Sequence, residues 1–286
     1  MLPNFLYIGP DKSGSTWIYF ALKEHPEVCL SKIKDVYFFD KYYKKGWSWY
    51  EKHFSHCIKK SNIKAIGELS HDYLFSKIAL QRIKESMPNI RLITSLRNPI
   101  DRAFSDFLHL KKHALIKQNK SFLDFVKNDY ENNNYGVIQR GFYNVYLDEY
   151  FKIFQKDNIL VLLFDELINN PNSYISRIYK FIGVDSEFVP AVLNKKILAA
   201  NKPRIESLAF FVKKSSDLLR HLNADTIVGY IKDLKIIQKL LYVPYYSDTK
   251  PIISQNEKEY LLEIYKPHIL QLESLLNVSL NSWLNI

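Results

Sequence analysis

Cysteine is nearly absent: the 286 residues contain only Cys29 and Cys57, so a disulfide-built scaffold is excluded by count. The pair is expected to be reduced and buried, with one optional bridge as the alternative. Glycine is scarce at 8 residues, which excludes a collagen-like fibre. No apolar run reaches the roughly 18 residues of a spanning helix, so no membrane span is expected. No leader with a charged start and an apolar middle precedes the first apolar stretch, Phe5 to Ile8, so a cytoplasmic location is expected. The sequons at Asn119 and Asn277 are then read as chance. Internal repeats, low-complexity tracts and a clear linker are all missing, so one domain over residues 1–286 is expected.

What is present is apolar and basic. Hydrophobic residues make up 47% and aromatics 15%, enough to bury a sizeable core. Lys and Arg number 40 against 30 Asp and Glu, a formal charge of +10. Such a surplus favours anionic partners without choosing among nucleotides, acidic glycans, nucleic acid or anionic lipid. The lysines are dispersed and the aromatics fall on helical faces, so no nucleic-acid partner is expected.

Along the chain, apolar strands alternate with helical patterns. Strands are predicted at Phe5 to Ile8, Ala65 to Leu69, Arg91 to Leu96 and Ile159 to Phe164, the third nearly continuous in apolar residues, as buried parallel strands are. Helices are predicted at Ser15 to Lys23, Phe75 to Ser86, Pro99 to Lys112, Ser121 to Asn128, Phe142 to Phe154, Asn172 to Ile182, Glu206 to Leu222 and Gln255 to Leu276. The fold class is therefore α/β: a P-loop-like central parallel sheet flanked by helices, with a mostly helical C-terminal part.

The first strand runs into Gly9-Pro10-Asp11-Lys12-Ser13-Gly14-Ser15-Thr16-Trp17 and then a helix. Backbone N–H groups and a helix N-terminus in this arrangement suit a phosphate. The spacing Gly9 to Gly14 is half of a Walker A motif. An NTPase would carry Lys at position 15 and Ser or Thr at 16, but position 15 is Ser and the lysine sits earlier, at Lys12. Ile159 to Phe164 followed by Asp165-Glu166 has the look of a Walker B strand. Its plainer reading is a core strand followed by a helix cap at Asp165. A kinase or ATPase is kept as the alternative function, and a nucleotide-binding module without catalysis is a further one.

At these residues the chain resembles the sulfotransferases that use 3′-phosphoadenosine 5′-phosphosulfate (PAPS). That family's 5′-phosphosulfate loop reads Pro-x-Lys-Ser/Thr-Gly-Ser/Thr-Thr, as Pro10 to Thr16 does here. Its second signature is an Arg after the third strand and a Ser eight residues on, matched by Arg97 and Ser105. Asp35-Val36-Tyr37-Phe38-Phe39-Asp40 resembles an acidic-x-x-Phe-Phe-Asp segment of the heparan-sulfate and bacterial branch. Gly67-Glu68-x-Ser70-x-x-Tyr73, Arg140-Gly141-x-Tyr143 and Asn201-Lys202-Pro203-Arg204 also look like that branch. The likeness runs from about Phe5 to Trp283 and is weakest in the C-terminal third. Asp35 stands where the branch usually has Glu, and Leu69-Ser70-His71 follows Glu68 where Lys or Pro is commoner.

The resemblance implies PAPS as donor, adenosine 3′,5′-bisphosphate (PAP) as product, no metal, and a glycan or glycoconjugate acceptor. A lipid, a small metabolite or a tyrosine is the alternative acceptor. It implies donor binding by Lys12, Ser13, Gly14, Ser15, Thr16, Trp17, Arg97, Ser105, Tyr143, Asn201 and Arg204. Lys12 is the expected stabiliser of the leaving phosphate, and Asp35 the expected base, with His71 and Glu68 as rivals. Tyr37 and Asp40 are candidates on the acceptor side. Tyr42, Tyr43, Trp47, Trp49 and Tyr50 form an aromatic cluster that could stack on sugar rings but reads first as packing. His53-x-x-His56-Cys57 offers three metal-ligating residues within five positions and no fourth, so it is read as structural. His109 and His113 lack the intervening Glu of a zinc-protease helix and are read as surface or substrate-channel residues.

Overall fold

The computed structural model describes residues 1–59, 61–194, 201–221, 240–245 and 251–285. Its helices are α1 (Ser15–Glu24), α2 (Trp47–Lys52), α3 (Lys77–Ser86), α4 (Pro99–Lys112), α5 (Phe122–Asn132), α6 (Tyr143–Ile153), α7 (Phe164–Asn169), α8 (Pro171–Ile182), α9 (Glu206–His221), α10 (Gln255–Leu276) and α11 (Asn281–Leu284). The strands are β1 (Phe5–Gly9), β2 (Val28–Leu30), β3 (Ala65–Leu69), β4 (Arg91–Leu96), β5 (Ile159–Leu163), β6 (Asn201–Pro203) and β7 (Tyr242–Pro244). By contact the chain falls into two compact units, Met1–Asn98 with Tyr143–Ile197, and Pro99–Phe142 with Leu198–Ile286.

The first unit holds a five-stranded sheet in the order β2-β3-β1-β4-β5, every pair parallel. All five residues of β1 are buried, which is why the strand is apolar throughout instead of alternating. From β1 the chain winds to β2 on one side, and from β4 it winds to β5 on the other. Ligands of open parallel sheets bind outside the strand ends at such a reversal. Trp17, Ile18, Ala21 and Leu22 of α1 and Tyr174, Ile175, Ile178 and Tyr179 of α8 pack with β1 and β4 residues in one buried cluster.

The second unit is mostly helical and adds an antiparallel ribbon of β6 with β7. Arg102 of α4 is fully buried there, donating from Nη2 to the Val137 carbonyl and lying 3.5 Å from Asp106 Oδ2. Tyr265 Oη of α10 donates to the Ile138 carbonyl at 3.1 Å. His113 bonds Tyr242 Oη at 3.0 Å, with the His109 ring beside it. No helix among the described residues is long and apolar enough to cross a membrane.

The α/β class and the parallel sheet are as expected, and β3, β4 and α4 have the expected bounds. Three readings change. The three-residue β2 was not foreseen. Asp165 is no cap: it lies in the first turn of α7, whose N-cap is Leu163. The cysteines are not reduced, for Cys29 and Cys57 form a disulfide with Cα atoms 5.8 Å apart. The cause is β2, which sets Cys29 against the short helical turn Ser55–Lys59. Leu222, the expected end of the helix from Glu206, lies outside the described residues.

Candidate active site

The loop between β1 and α1 is fastened from beneath. Thr94 Oγ1 donates to the Gly9 carbonyl, Tyr7 Oη to Pro10, Arg97 Nη1 to Lys12 and Ser95 Oγ to Ser13, at 2.7, 3.0, 3.2 and 2.7 Å. Tyr174 Oη donates in turn to Ser95 Oγ at 2.7 Å. Four of the loop's carbonyls are thus held from the sheet side, while that of Asp11 accepts from Ser13 Oγ at 3.3 Å. The N–H groups of Ser15, Thr16 and Trp17 open α1, where a helix supplies no internal partner. No acid sits in that first turn, so the positive end of the helix stays suited to an anion. Gly14, the N-cap, has φ +89, and a Cβ there would press on Leu167 at 2.8 Å. At Gly9 a Cβ would meet the His71 carbonyl oxygen at 2.2 Å, so glycine lets the strand end approach His71.

Lys34 was missed by the sequence reading. Its Nζ donates to Ser15 Oγ at 3.1 Å and Thr16 Oγ1 at 3.4 Å, and lies 3.7 Å from Asp35 Oδ2. The other oxygen of that carboxylate, Oδ1, is 2.8 Å from His71 Nδ1. An ionised carboxylate only accepts, so Nδ1 carries the proton. His71 Nε2 is 3.0 Å from Tyr37 Oη and 3.6 Å from Asp72 Oδ1. Burial pulls the His71 pKa down, but Asp35 and then Asp72 and Asp11 outweigh it, so the net shift is upward and favours the imidazolium. Lys12, Asp35 and Tyr37 all have positive φ, at 60°, 63° and 55°. Such backbone costs about 1–3 kcal/mol per residue and gathers at functional sites.

Glu68 lies at the end of β3 and is completely buried. Its carboxylate accepts from Tyr73 Oη at 2.7 Å, from Ser70 Oγ at 2.5 Å and from Tyr50 Oη. Ser70 Oγ also accepts from the Tyr37 N–H at 3.0 Å, so the cage fixes the segment carrying Asp35. Burial lifts the Glu68 pKa to about 7, with the hydroxyl donors opposing. A folded-state pKa above the unfolded value of 4.5 means the fold holds the extra proton in between. This stability is fully present below about pH 4.5 and is lost as pH rises through about 7, amounting to roughly 3 kcal/mol. His71 contributes with the same sign. Urea midpoints taken from pH 5 to 8 should therefore fall steeply in the parent and less steeply in Glu68→Gln. Parallel slopes would show that Glu68 is ionised throughout.

The remaining candidates divide between the units. In the first, Tyr143 Oη donates to the Arg97 carbonyl at 3.0 Å, and the half-buried Arg97 guanidinium lies 5.0 Å over the Phe164 ring. Asp40 follows Phe38 and Phe39 in a short helical turn, and burial raises its pKa to about 6. Asp40 Oδ1 accepts from the Lys41 N–H at 2.7 Å. Tyr50 is core, stacked on Phe38 at 4.3 Å, while Tyr42 and Trp49 stay half-buried with Lys45 over both rings. Glu166 of the supposed Walker B pair is bonded to Arg177 at 2.7 Å. In the second unit, Ser105 is half-buried on α4, Asn201 sits in β6, and Arg204 is exposed with its N–H on the Leu241 carbonyl at 2.9 Å.

A fastened anion loop at a winding reversal defines a phosphate-binding α/β protein of P-loop type. Residues 2–216 match the sulfotransferase domain family, and the chain belongs to it. Among curated relatives, the membrane-associated sulfotransferase kil1 of Dictyostelium discoideum is 37% identical over 120 residues, 42% of this chain and 25% of its own. The human bifunctional heparan sulfate N-deacetylase/N-sulfotransferase 2 is 28% identical over 197 residues, 64% of this chain and 22% of its own. The chain thus spans about a quarter of the length of either relative. A sulfotransferase from Alicyclobacillus acidocaldarius shares the fold, with a TM-score of 0.69 over 99% of both chains at 20% identity.

Proposed function

We propose that the chain transfers a sulfuryl group from PAPS to a hydroxyl or amine of a carbohydrate acceptor. The observation that carries this reading is Lys34, whose ammonium touches both hydroxyls that open α1 and lies 3.7 Å from Asp35 Oδ2. An anion-binding helix start and a carboxylate oxygen therefore share one small region. An acceptor between them would meet donor and base together.

The acceptor oxygen or nitrogen forms a bond to sulfur as the bond from sulfur to the 5′-phosphate oxygen breaks, its electron pair leaving with PAP. The acceptor's proton passes to Asp35 Oδ2. Lys12 and the N–H groups of Ser13 to Trp17 take up charge developing on the leaving phosphate, the kind of stabilisation that supplies most of such a barrier reduction. Lys34 bridges the two halves. His71 orients Asp35 through Oδ1, and Glu68 positions the segment from inside its hydroxyl cage. By the family likeness, Arg97 takes the 3′-phosphate and Tyr143 adds to nucleotide binding.

The glycan acceptor is supported by the heparan sulfate activity named for the human relative. It is also supported by Tyr42 and Trp49, whose half-buried rings lie close in sequence to Asp35. A kinase reading is disfavoured by Ser15 in the place of the Walker lysine. The test is a screen of glycan, lipid, small-metabolite and tyrosine acceptors with isotope-labelled PAPS, read by mass. Transfer to glycans alone is expected; transfer only to another class overturns the acceptor, and no transfer with ATP hydrolysis overturns the reaction.

Arg97 is tested separately by titrating PAP. Loss of a charge-assisted fork should weaken binding about 10- to 100-fold in Arg97→Ala. Arg97→Lys should recover only part. Parent-like binding by the alanine variant would leave the guanidinium a purely structural role beneath the loop.

A further inference from the structure

The sequence places three metal-ligating residues in His53-x-x-His56-Cys57, and the fold rearranges them. His53 turns away: its ring packs edge-on against Trp49 at 4.6 Å, and its carbonyl accepts from the Lys32 N–H at 2.9 Å. Its place is taken by Cys29 from β2. His56 Nε2 lies 3.5 Å from Cys29 Sγ and 3.9 Å from Cys57 Sγ, and the three ligand atoms all fall within 4.8 Å of one another. Both cysteines are buried and His56 is half-buried, so the cluster has one side toward solvent.

We propose that Cys29, Cys57 and His56 form a zinc site once the disulfide is reduced. A tetrahedral zinc with bonds of about 2.3 Å to sulfur and about 2.0–2.1 Å to nitrogen separates sulfur from nitrogen by about 3.6 Å. The two sulfur–nitrogen distances in the oxidised chain, 3.5 and 3.9 Å, already bracket that edge. Only the sulfurs must part, to about 3.8 Å in the same geometry. Each cysteine sits at a point where this is feasible, one on a strand and one on a short turn.

The chemistry balances with a thiol or phosphine reductant. Two electrons and two protons convert the disulfide to two thiols. Zinc then displaces both thiol protons, and the neutral imidazole gives its Nε2 lone pair. Two thiolates cancel the charge of the divalent ion, so the half-buried site takes no net charge. The fourth position falls to water on the solvent side. Two soft thiolates with one imidazole select zinc over magnesium or calcium, which prefer oxygen. The redox state thereby decides whether β2 and the turn after α2 are joined covalently or through a metal.

The experiment uses the tag-free full chain, as isolated and after phosphine reduction. Each sample is exposed to zinc, desalted under nitrogen and assayed for metal per chain by mass spectrometry. About one zinc per reduced chain and none per oxidised chain is expected. Cobalt in place of zinc should give a thiolate-to-metal charge-transfer band in the reduced sample only. His56→Ala keeps the disulfide, so its folding can be checked in the oxidised form. After reduction it should bind zinc about a hundredfold more weakly or worse. Equal uptake by oxidised and reduced parent, no uptake by reduced parent, or parent-like affinity in reduced His56→Ala would each overturn the site.

Discussion

Lys12→Ala is expected to slow sulfuryl transfer by about two to three decades, the loss typical of deleting one donor aimed at charge developing in a transition state. The lysine sits in a loop whose Gly9, Pro10 and Ser13 carbonyls accept from the sheet side, and its own carbonyl accepts from Arg97 at 3.2 Å. The backbone there is therefore held whatever the side chain. Its ammonium lies 3.9 Å from Asp11 Oδ2, an exchangeable partner at the loop itself. The φ of 60° raises a competing explanation, that the substitution acts through the backbone. Lys12→Gly separates the two, because glycine adopts this conformation without strain and still lacks the amine. Both variants should lose turnover alike while binding PAP within a few-fold of the parent. Recovery of rate in Lys12→Gly would assign the defect to the backbone, and near-parent turnover in both would remove Lys12 from the reaction.

The frame of the fold was legible because buried parallel strands are long apolar runs with turn residues at their ends. β3 and β4 matched to the residue for that reason, and Pro99 marked the start of α4. β2 escaped because Val28–Leu30 is too short to show any period. That one omission hid two consequences, the Cys29–Cys57 bond and the path that delivers Lys34 beside the phosphate loop. The donor half of the site was readable since Lys12 to Trp17 are consecutive. The acceptor half was only partly so. Asp35 and His71 are 36 positions apart, and nothing in their spacing signals a 2.8 Å contact. The cage around Glu68 draws on Tyr50, Ser70 and Tyr73, of which Tyr50 read as one more aromatic in a cluster. Lys34 carried a signal that went unused: a lysine directly before the acid of a family-like segment.

Asp35→Asn carries the second large effect, an expected loss of about 10² to 10⁴ in turnover at saturating PAPS, the contribution of a well-placed base. The substitution is close to silent in structure. Asparagine tolerates the φ of 63° at this position and keeps a carbonyl oxygen for the His71 Nδ1–H. It replaces the charged oxygen facing Lys34 with a neutral amide nitrogen, which can accept no proton. PAP affinity should therefore stay near that of the parent while product formation collapses. His71→Ala is the comparison that assigns the roles. If Asp35 takes the proton, His71 acts only by orienting it, and its loss costs less than that of the carboxylate. If His71 were the base, the order would reverse, because Asp35→Asn would leave an oriented imidazole in place. The upward shift of the imidazole pKa, with Asp35 outweighing burial, argues for the first outcome, since it favours the imidazolium over the neutral ring that could accept a proton. Raising the pH supplies the last discrimination. Deprotonating His71 should not rescue Asp35→Asn; recovery of its rate at alkaline pH would move the base from the carboxylate to the ring.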